Sequence, residues 1–236
     1  MKKLSLLIVV MLFSITALTL AIFFAGCGGG GSKSGLKKND YLGSLPAIYA
    51  DYQLAKKADE EKIDKLHTSG NLNKIMKEVA KIEKEEKERE LKFEADLKAE
   101  MAKITGKDVP FTCSEAFKKL NCEVVFMKFS DHSTPGIIAS IVAKNDFTVS
   151  SKERNVDDYE YVWYRAVAKD GSTIDKNSIF LFSVSWGNTK QFTKGQSLKS
   201  GSEYAQTFLS ISKKPEQFAD FAGIEFITRE EFNNLK

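Results

Sequence analysis

Histidine is scarce in this chain: His67 and His132 are the only two in 236 residues. That leaves few candidates for the side chain that most often moves protons near neutral pH. His67 falls at a helix end, where an imidazolium suits the negative end of the helix dipole. Asp131-His132-Ser133 holds the three residue types of a Ser–His–Asp relay. Successive residues point in different directions, however, and cannot form that relay among themselves. Glycine-rich phosphate loops, zinc-ligand spacings and EF-hand loops are missing too. Asp157-Asp158-Tyr159-Glu160 either holds Ca²⁺ with backbone oxygens or marks a solvated turn. There is no surplus of one charge, with 35 Lys and Arg against 32 Asp and Glu. The balance gives no footprint for nucleic acid. These absences predict a protein that is not an enzyme, with no cofactor, no metal and no nucleic-acid partner.

One long uncharged run is present. Lys2 and Lys3 precede Leu4–Phe24, which carries no charge, and the small residues Ala25 and Gly26 lead into Cys27. Basic, then apolar, then small is the order of an export signal. Phe24-Ala25-Gly26-Cys27 resembles the lipobox of bacterial lipoproteins, with Phe where Leu is usual. The resemblance implies a diacylglyceryl group on the Cys27 thiol, cleavage after Gly26, and acylation of the new α-amine. Two or more acyl chains are what stable membrane anchoring needs. The run also approaches the ~20 residues of a membrane-spanning helix, so an uncleaved anchor is the rival reading. Both readings place the rest of the chain outside the cytoplasm. The expected location is the cell envelope, at the outer membrane or facing the periplasm.

Residues 27–43 read as the lipidated cysteine and a Gly/Ser tether, reaching roughly 20 Å root-mean-square and about 45 Å if stretched. Ser44 is an N-cap with Pro46 in the first turn. Ile48, Tyr52, Ala55, Ile63 and Leu66 then recur at helical spacing. Gly70 suits a helix stop and Asn71 a new cap. The second helix runs to about Ile104, roughly 50 Å, with Leu72, Ile75, Met76, Val79, Ile82, Leu91, Phe93, Leu97, Met101 and Ile104 as its apolar positions. A short connection predicts an antiparallel hairpin over 44–105. Glu83–Lys87, Glu85–Arg89, Glu88–Lys92 and Glu94–Lys98 are acidic-then-basic at i,i+4, each worth ~0.2–0.5 kcal/mol. The hairpin therefore reads as a solvated arm, with a self-associating coiled coil as the sharper alternative.

Residues 106–236 change character. Thr112-x-x-Glu115 reads as a capping box for a short helix over Ser114–Leu120. Strand-like runs follow at Glu123–Phe129, Ile137–Lys144, Tyr159–Ala168, Ser178–Trp186, Glu203–Ser212 and Ile224–Thr228. Lys169-Asp170-Gly171-Ser172 is a tight turn. Pro215 opens a short helix ending near Gly223, and Thr228-x-x-Glu231 caps a terminal one. Cys113 and Cys122, the cysteines other than Cys27, are expected to pair as a structural disulfide in an oxidising envelope, worth roughly 2–3 kcal/mol.

Ile137–Asn145, the Lys-Asp-Gly hairpin inside Tyr161–Ile174, and Gln196–Glu203 leading to Phe208–Ile211 resemble the immunoglobulin-like modules of tethered bacterial lipoproteins. The segment Tyr41–Tyr49 and the charged helix pair are similar to uncharacterised envelope lipoproteins of Gram-negative anaerobes. The fold class expected is α+β: a signal or anchor helix, a helical hairpin and an immunoglobulin-like β-sandwich.

Period-two alternation puts Tyr159, Tyr161 and Trp163 on one strand face, and Phe180, Phe182, Val184 and Trp186 on another. Turned inward, such faces are sandwich core. Turned outward, Tyr159, Tyr161 and Trp163 make a platform for a sugar ring or a peptide. The function expected is a membrane-anchored, non-catalytic binding or scaffolding role toward an envelope protein or glycan, the alternative being a glycan- or peptide-binding module on that aromatic face.

Overall fold

The structure, a computed structural model, describes residues 34–67, 72–130, 135–150, 161–181, 188–198 and 206–235. Leu4–Cys27, Asp131-His132-Ser133 and Asp157–Glu160 lie outside the described residues. The fold is mixed α+β. Its described residues fall into two units, one of Tyr52–Leu97 and one of 34–51 with 98–235. Among the described residues no helix is long and apolar enough to cross a membrane.

Helix α1 (Leu45–His67) opens one residue after Ser44, and Ile48 N donates to Ser44 O at 2.9 Å. Helix α2 (Leu72–Ile104) starts directly beyond the connection marked by Gly70 and Asn71. In the first unit the two run antiparallel: Tyr52 stacks on Phe93 at 4.9 Å, and Asp59 pairs with Arg89. Buried and half-buried positions recur at Tyr52, Lys56, Asp59, Ile63 and Leu66 on α1, and at Ile75, Val79, Ile82, Glu86, Arg89 and Phe93 on α2. Steps of four and three residues are a heptad seam. Leu72, Met76 and Leu91, expected to face the partner helix, are 50%, 62% and 61% exposed instead. The seam follows heptad register even where the residue is charged. Its middle is filled by Asp59, 4% exposed, which takes both Arg89 and, at 2.8 Å, Lys62. Arg89 thus turns across to Asp59 rather than along its own helix to Glu85. Glu85 and Glu88 meet Lys81 and Lys84, with the base N-terminal.

Among its described residues the second unit holds three sheets. The first has the order β1 (Phe111–Cys113), β9 (Phe221–Ile227), β5 (Tyr161–Ala168), β6 (Thr173–Phe180). The second has the order β2 (Cys122–Ser130), β3 (Gly136–Ala143), β8 (Gln206–Phe208), and the third pairs β4 (Phe147–Ser150) with β7 (Thr189–Phe192). All pairs are antiparallel except β1 with β9, where Phe111 registers with Ile224 and Cys113 with Phe226. Between β5 and β6 the turn forms as read: Asp170 Oδ1 accepts from Ser172 N at 2.9 Å, and Gly171 takes φ 84°.

The short helices are smaller than expected. Thr112 lies inside β1 and caps nothing; Ser114 Oγ accepts from Phe117 N at 3.0 Å and opens only a single 3₁₀ turn, Phe117–Lys119. Helix α3 stops at Pro215–Phe218, so that Gly223 sits within β9. A Cβ there would come 2.6 Å from Pro110 O, which accepts from Ile224 N at 2.9 Å. Only glycine allows β9 to pass Pro110 at that separation. The terminal helix α4 (Arg229–Asn234) has the full capping box: Thr228 Oγ1 accepts from Glu231 N, and Glu231 reaches back to Thr228 N.

The tether ends sooner than position 43. Asn39 is 2% exposed and donates from Nδ2 to Ala219 O at 3.0 Å and Phe221 O at 2.9 Å. Its Oδ1 accepts from Tyr41 N and Leu42 N, both at 2.9 Å. Gly43, at φ 59°, closes this loop onto Asn39, and Ser44 N donates to Glu100 Oε1 at 2.8 Å. Leu42 and Leu45 are fully buried. Asn39, Leu42 and Leu45 thus belong to the second unit's core.

Candidate ligand face

The alternation along β5 decides which aromatic residues go inward. Val162, Tyr164 and Ala166 are buried, and Tyr161, Trp163 and Arg165 are half-exposed on the opposite face. Tyr164 lies 3.0 Å by its hydroxyl from Thr207 Oγ1 on β8, a link between the first and second sheets. Burial pushes the Tyr164 phenol well above its ordinary pKa, so it stays a neutral hydrogen-bonding group. Tyr161 and Trp163 are therefore not part of that core.

They lie on the outer face. Cross-strand register puts Phe180 beside Tyr161 and Ser178 beside Trp163. The ring centroids of Tyr161 and Phe180 are 5.3 Å apart, and those of Tyr161 and Trp163 are 5.9 Å apart. Phe180 is 41% exposed. The described charge on the flank of this strip, Arg165, is paired. Arg165 is held by Glu225, with Nε–Oε2 and Nη2–Oε2 both 2.6 Å, and donates to Thr173 Oγ1 at 2.9 Å. Tyr159, expected on the same face, lies outside the described residues, as do Phe182, Val184 and Trp186.

Helix α4 crosses this face. Phe232 packs on Trp163 with centroids 4.5 Å apart. Lys176 Nζ donates to Phe232 O at 3.0 Å and Leu235 O at 2.7 Å, and sits 4.8 Å from the Phe232 ring. Beneath this cover the indole Nε1 of Trp163 is out of solvent with no hydrogen-bond partner. A buried donor left unpaired costs about 1–3 kcal/mol. Neither Phe232 nor Lys176 was marked by the sequence reading. The Thr228 capping box foretells the helix, but nothing local says where its fourth residue docks.

A carboxylate fastens the near end of α4. Glu231 Oε2 accepts from Ser114 Oγ and from Thr228 N, both at 2.7 Å. Burial works to raise the Glu231 pKa, but these hydrogen bonds, with the field of Arg165, outweigh it and hold it below the usual value. Stabilisation from a depressed carboxylate is present above its unfolded pKa and is lost as pH falls through the lower folded value. Acid titration should therefore loosen α4 below about pH 4. In a Trp186→Phe background the emission of Trp163 should shift red there while far-UV circular dichroism still reports the sheets. A shift that only accompanies global unfolding would contradict this.

The remaining site residues behave differently. Cys113 ends β1 and Cys122 opens β2, and both are thiols: the expected disulfide is not formed in the structure. Burial pushes the Cys113 thiol up, against the fields of Lys118 and Lys144. Such a thiol is protonated at neutral pH. Among the described residues no group of His, Cys, Asp and Glu is placed to hold a metal ion. Comparison with protein-family models, curated proteins and solved structures finds no match.

Proposed function

We propose that this chain is an envelope lipoprotein, anchored through Cys27, that binds rather than transforms its target, with the outer face of β5 and β6 as its contact surface. The observation that carries the reading is the outward strip of Tyr161, Trp163 and Phe180. Three aromatic rings on the outer face of one sheet, with Tyr161 in contact with both Trp163 and Phe180, are what a binding platform requires, and the inner face of the same sheet is already filled without them. The lipobox-like Phe24-Ala25-Gly26-Cys27 supports the anchor. The sheets are read as an immunoglobulin-like sandwich, supported by the β5–β6 hairpin with its Asp-Gly turn and by the Tyr164–Thr207 link between sheets. Oxidation of Cys113 and Cys122 to a disulfide in the envelope belongs to the same proposal.

Two measurements test it. Fractionation should find the protein in membranes, and a labelled fatty acid should be incorporated into the wild-type protein and not into Cys27→Ala. The detergent-solubilised chain should co-sediment with the detergent-insoluble envelope, and Trp163→Ala should weaken that binding at least fivefold. Binding unchanged by Trp163→Ala would remove the aromatic face as the contact surface. Absence of the fatty-acid label from the wild-type protein would favour an uncleaved anchor helix.

A further inference from the structure

Helix α4 is a light cover. It has six residues, and none of them is buried. A helix so short has no stability of its own. Its attachment rests on the Phe232 ring, the two carbonyl bonds from Lys176, and the Glu231–Ser114 bond. What it covers is mismatched to it. The indole N–H of Trp163 is shut from water, and α4 offers it no acceptor. An acceptor supplied in place of Phe232 would be better matched to this site than the helix is.

The chemistry of the strip narrows what that acceptor belongs to. Its surface is aromatic and uncharged, with Ser178 beside Trp163 and the phenol of Tyr161 as neutral polar groups. Among the described residues, the neighbouring charges are already committed, Arg165 to Glu225 and Lys176 to the carbonyls of Phe232 and Leu235. Of these described groups, none is left free to pair with an ionic ligand. A ring with apolar C–H faces and hydroxyl oxygens at its rim would stack on Tyr161, Trp163 and Phe180 and accept from the indole N–H. We propose that α4 is a displaceable strap, and that the strip it partly covers takes the pyranose rings of a neutral glycan. This rests on the reading of the face as a binding surface.

The test uses the full chain with Trp186→Phe in a sugar-free detergent, so that Trp163 is the only indole. Three neutral hexasaccharides (cellohexaose, maltohexaose and chitohexaose) and a neutral Gly/Ser hexapeptide are titrated against it while Trp163 emission is followed. Phe232→Ala should shift the unliganded emission red and bind at least one hexasaccharide tenfold or more tighter than the parent. Equal affinity for parent and Phe232→Ala would overturn the strap. Response to the peptide alone would overturn the glycan and leave the binding face standing. Red-shifted emission with no response to any probe would overturn both. Should Phe232→Ala fail to fold, Lys176→Gln keeps the ring, releases the two carbonyls, and carries the same comparison.

Discussion

Replacing Asn39 with alanine is expected to destabilise the second unit by about 3–4 kcal/mol, the largest single effect for a residue outside the helices and strands. Four backbone groups depend on this one side chain: the carbonyls of Ala219 and Phe221 and the N–H groups of Tyr41 and Leu42. Each bond contributes about 1 kcal/mol net, and the cost grows when the abandoned partner stays buried. Asn39 is 2% exposed, so water cannot easily replace the lost amide. At roughly 2–4 °C per kcal/mol for a unit of this size, the melting temperature should fall by about 10 °C. Asn39→Asp keeps the acceptor and loses both donors, and should fall between alanine and wild type. A melting temperature within 2 °C of wild type for Asn39→Ala would mean that residues 39–45 are dispensable and belong with the tether.

The second large effect is expected at the middle of the hairpin. Asp59→Ala removes the partner of Arg89 from the seam, and the side chain of Asp59 is only 5% exposed. Breaking a fully buried pair costs about 3–5 kcal/mol. The Arg89 side chain is 32% exposed, which lets water recover part of that, so about 1–3 kcal/mol is expected. Hydrogen exchange of α1 amides around Asp59 should quicken roughly 5- to 150-fold in proportion. Replacing both residues by leucine should restore protection, because the seam then has heptad-matched apolar residues and no stranded charge. If Asp59→Leu/Arg89→Leu exchanged faster than Asp59→Ala, the pair would be contributing net stability.

What could be read from the residues was what is decided locally. Ser44, the Asp170-Gly171 turn and the Thr228 capping box each act within four residues, and each stands where the reading put it or borders the helix it foretold, while Gly70 and Asn71 lie outside the described residues. Apolarity misled where packing and not composition chose the face. Leu72, Met76 and Leu91 read as seam residues and are exposed, while Arg89, read as pairing with Glu85 along its own helix, reaches across the seam to Asp59. The capping reading of Thr112 failed because the parallel pairing of β1 with β9 joins segments more than a hundred positions apart, which no local pattern announces. Strands β4 and β7 are short, and their partner contact, Phe147 on Phe192 at 4.8 Å, joins residues 45 positions apart.

The candidate face was half legible for the same reason. Alternation named Tyr161 and Trp163 as sharing a side of β5, and period two alone cannot say which side is core. The answer came from Tyr164, whose hydroxyl finds Thr207 on another sheet and so turns its neighbours outward. The cover supplied by Phe232 lies 69 positions beyond Trp163 and could come only from the tertiary fold.

The most direct test of the account is site-specific photocrosslinking from that face in the living envelope. A photoreactive phenylalanine in place of Phe180, the most exposed ring of the strip, should form discrete adducts, and the same group at Lys190 on β7 should form none of them. Adding Trp163→Ala should abolish the adducts from position 180. Adducts of equal yield from both positions, or adducts from position 180 that persist without Trp163, would contradict a binding role for the aromatic face.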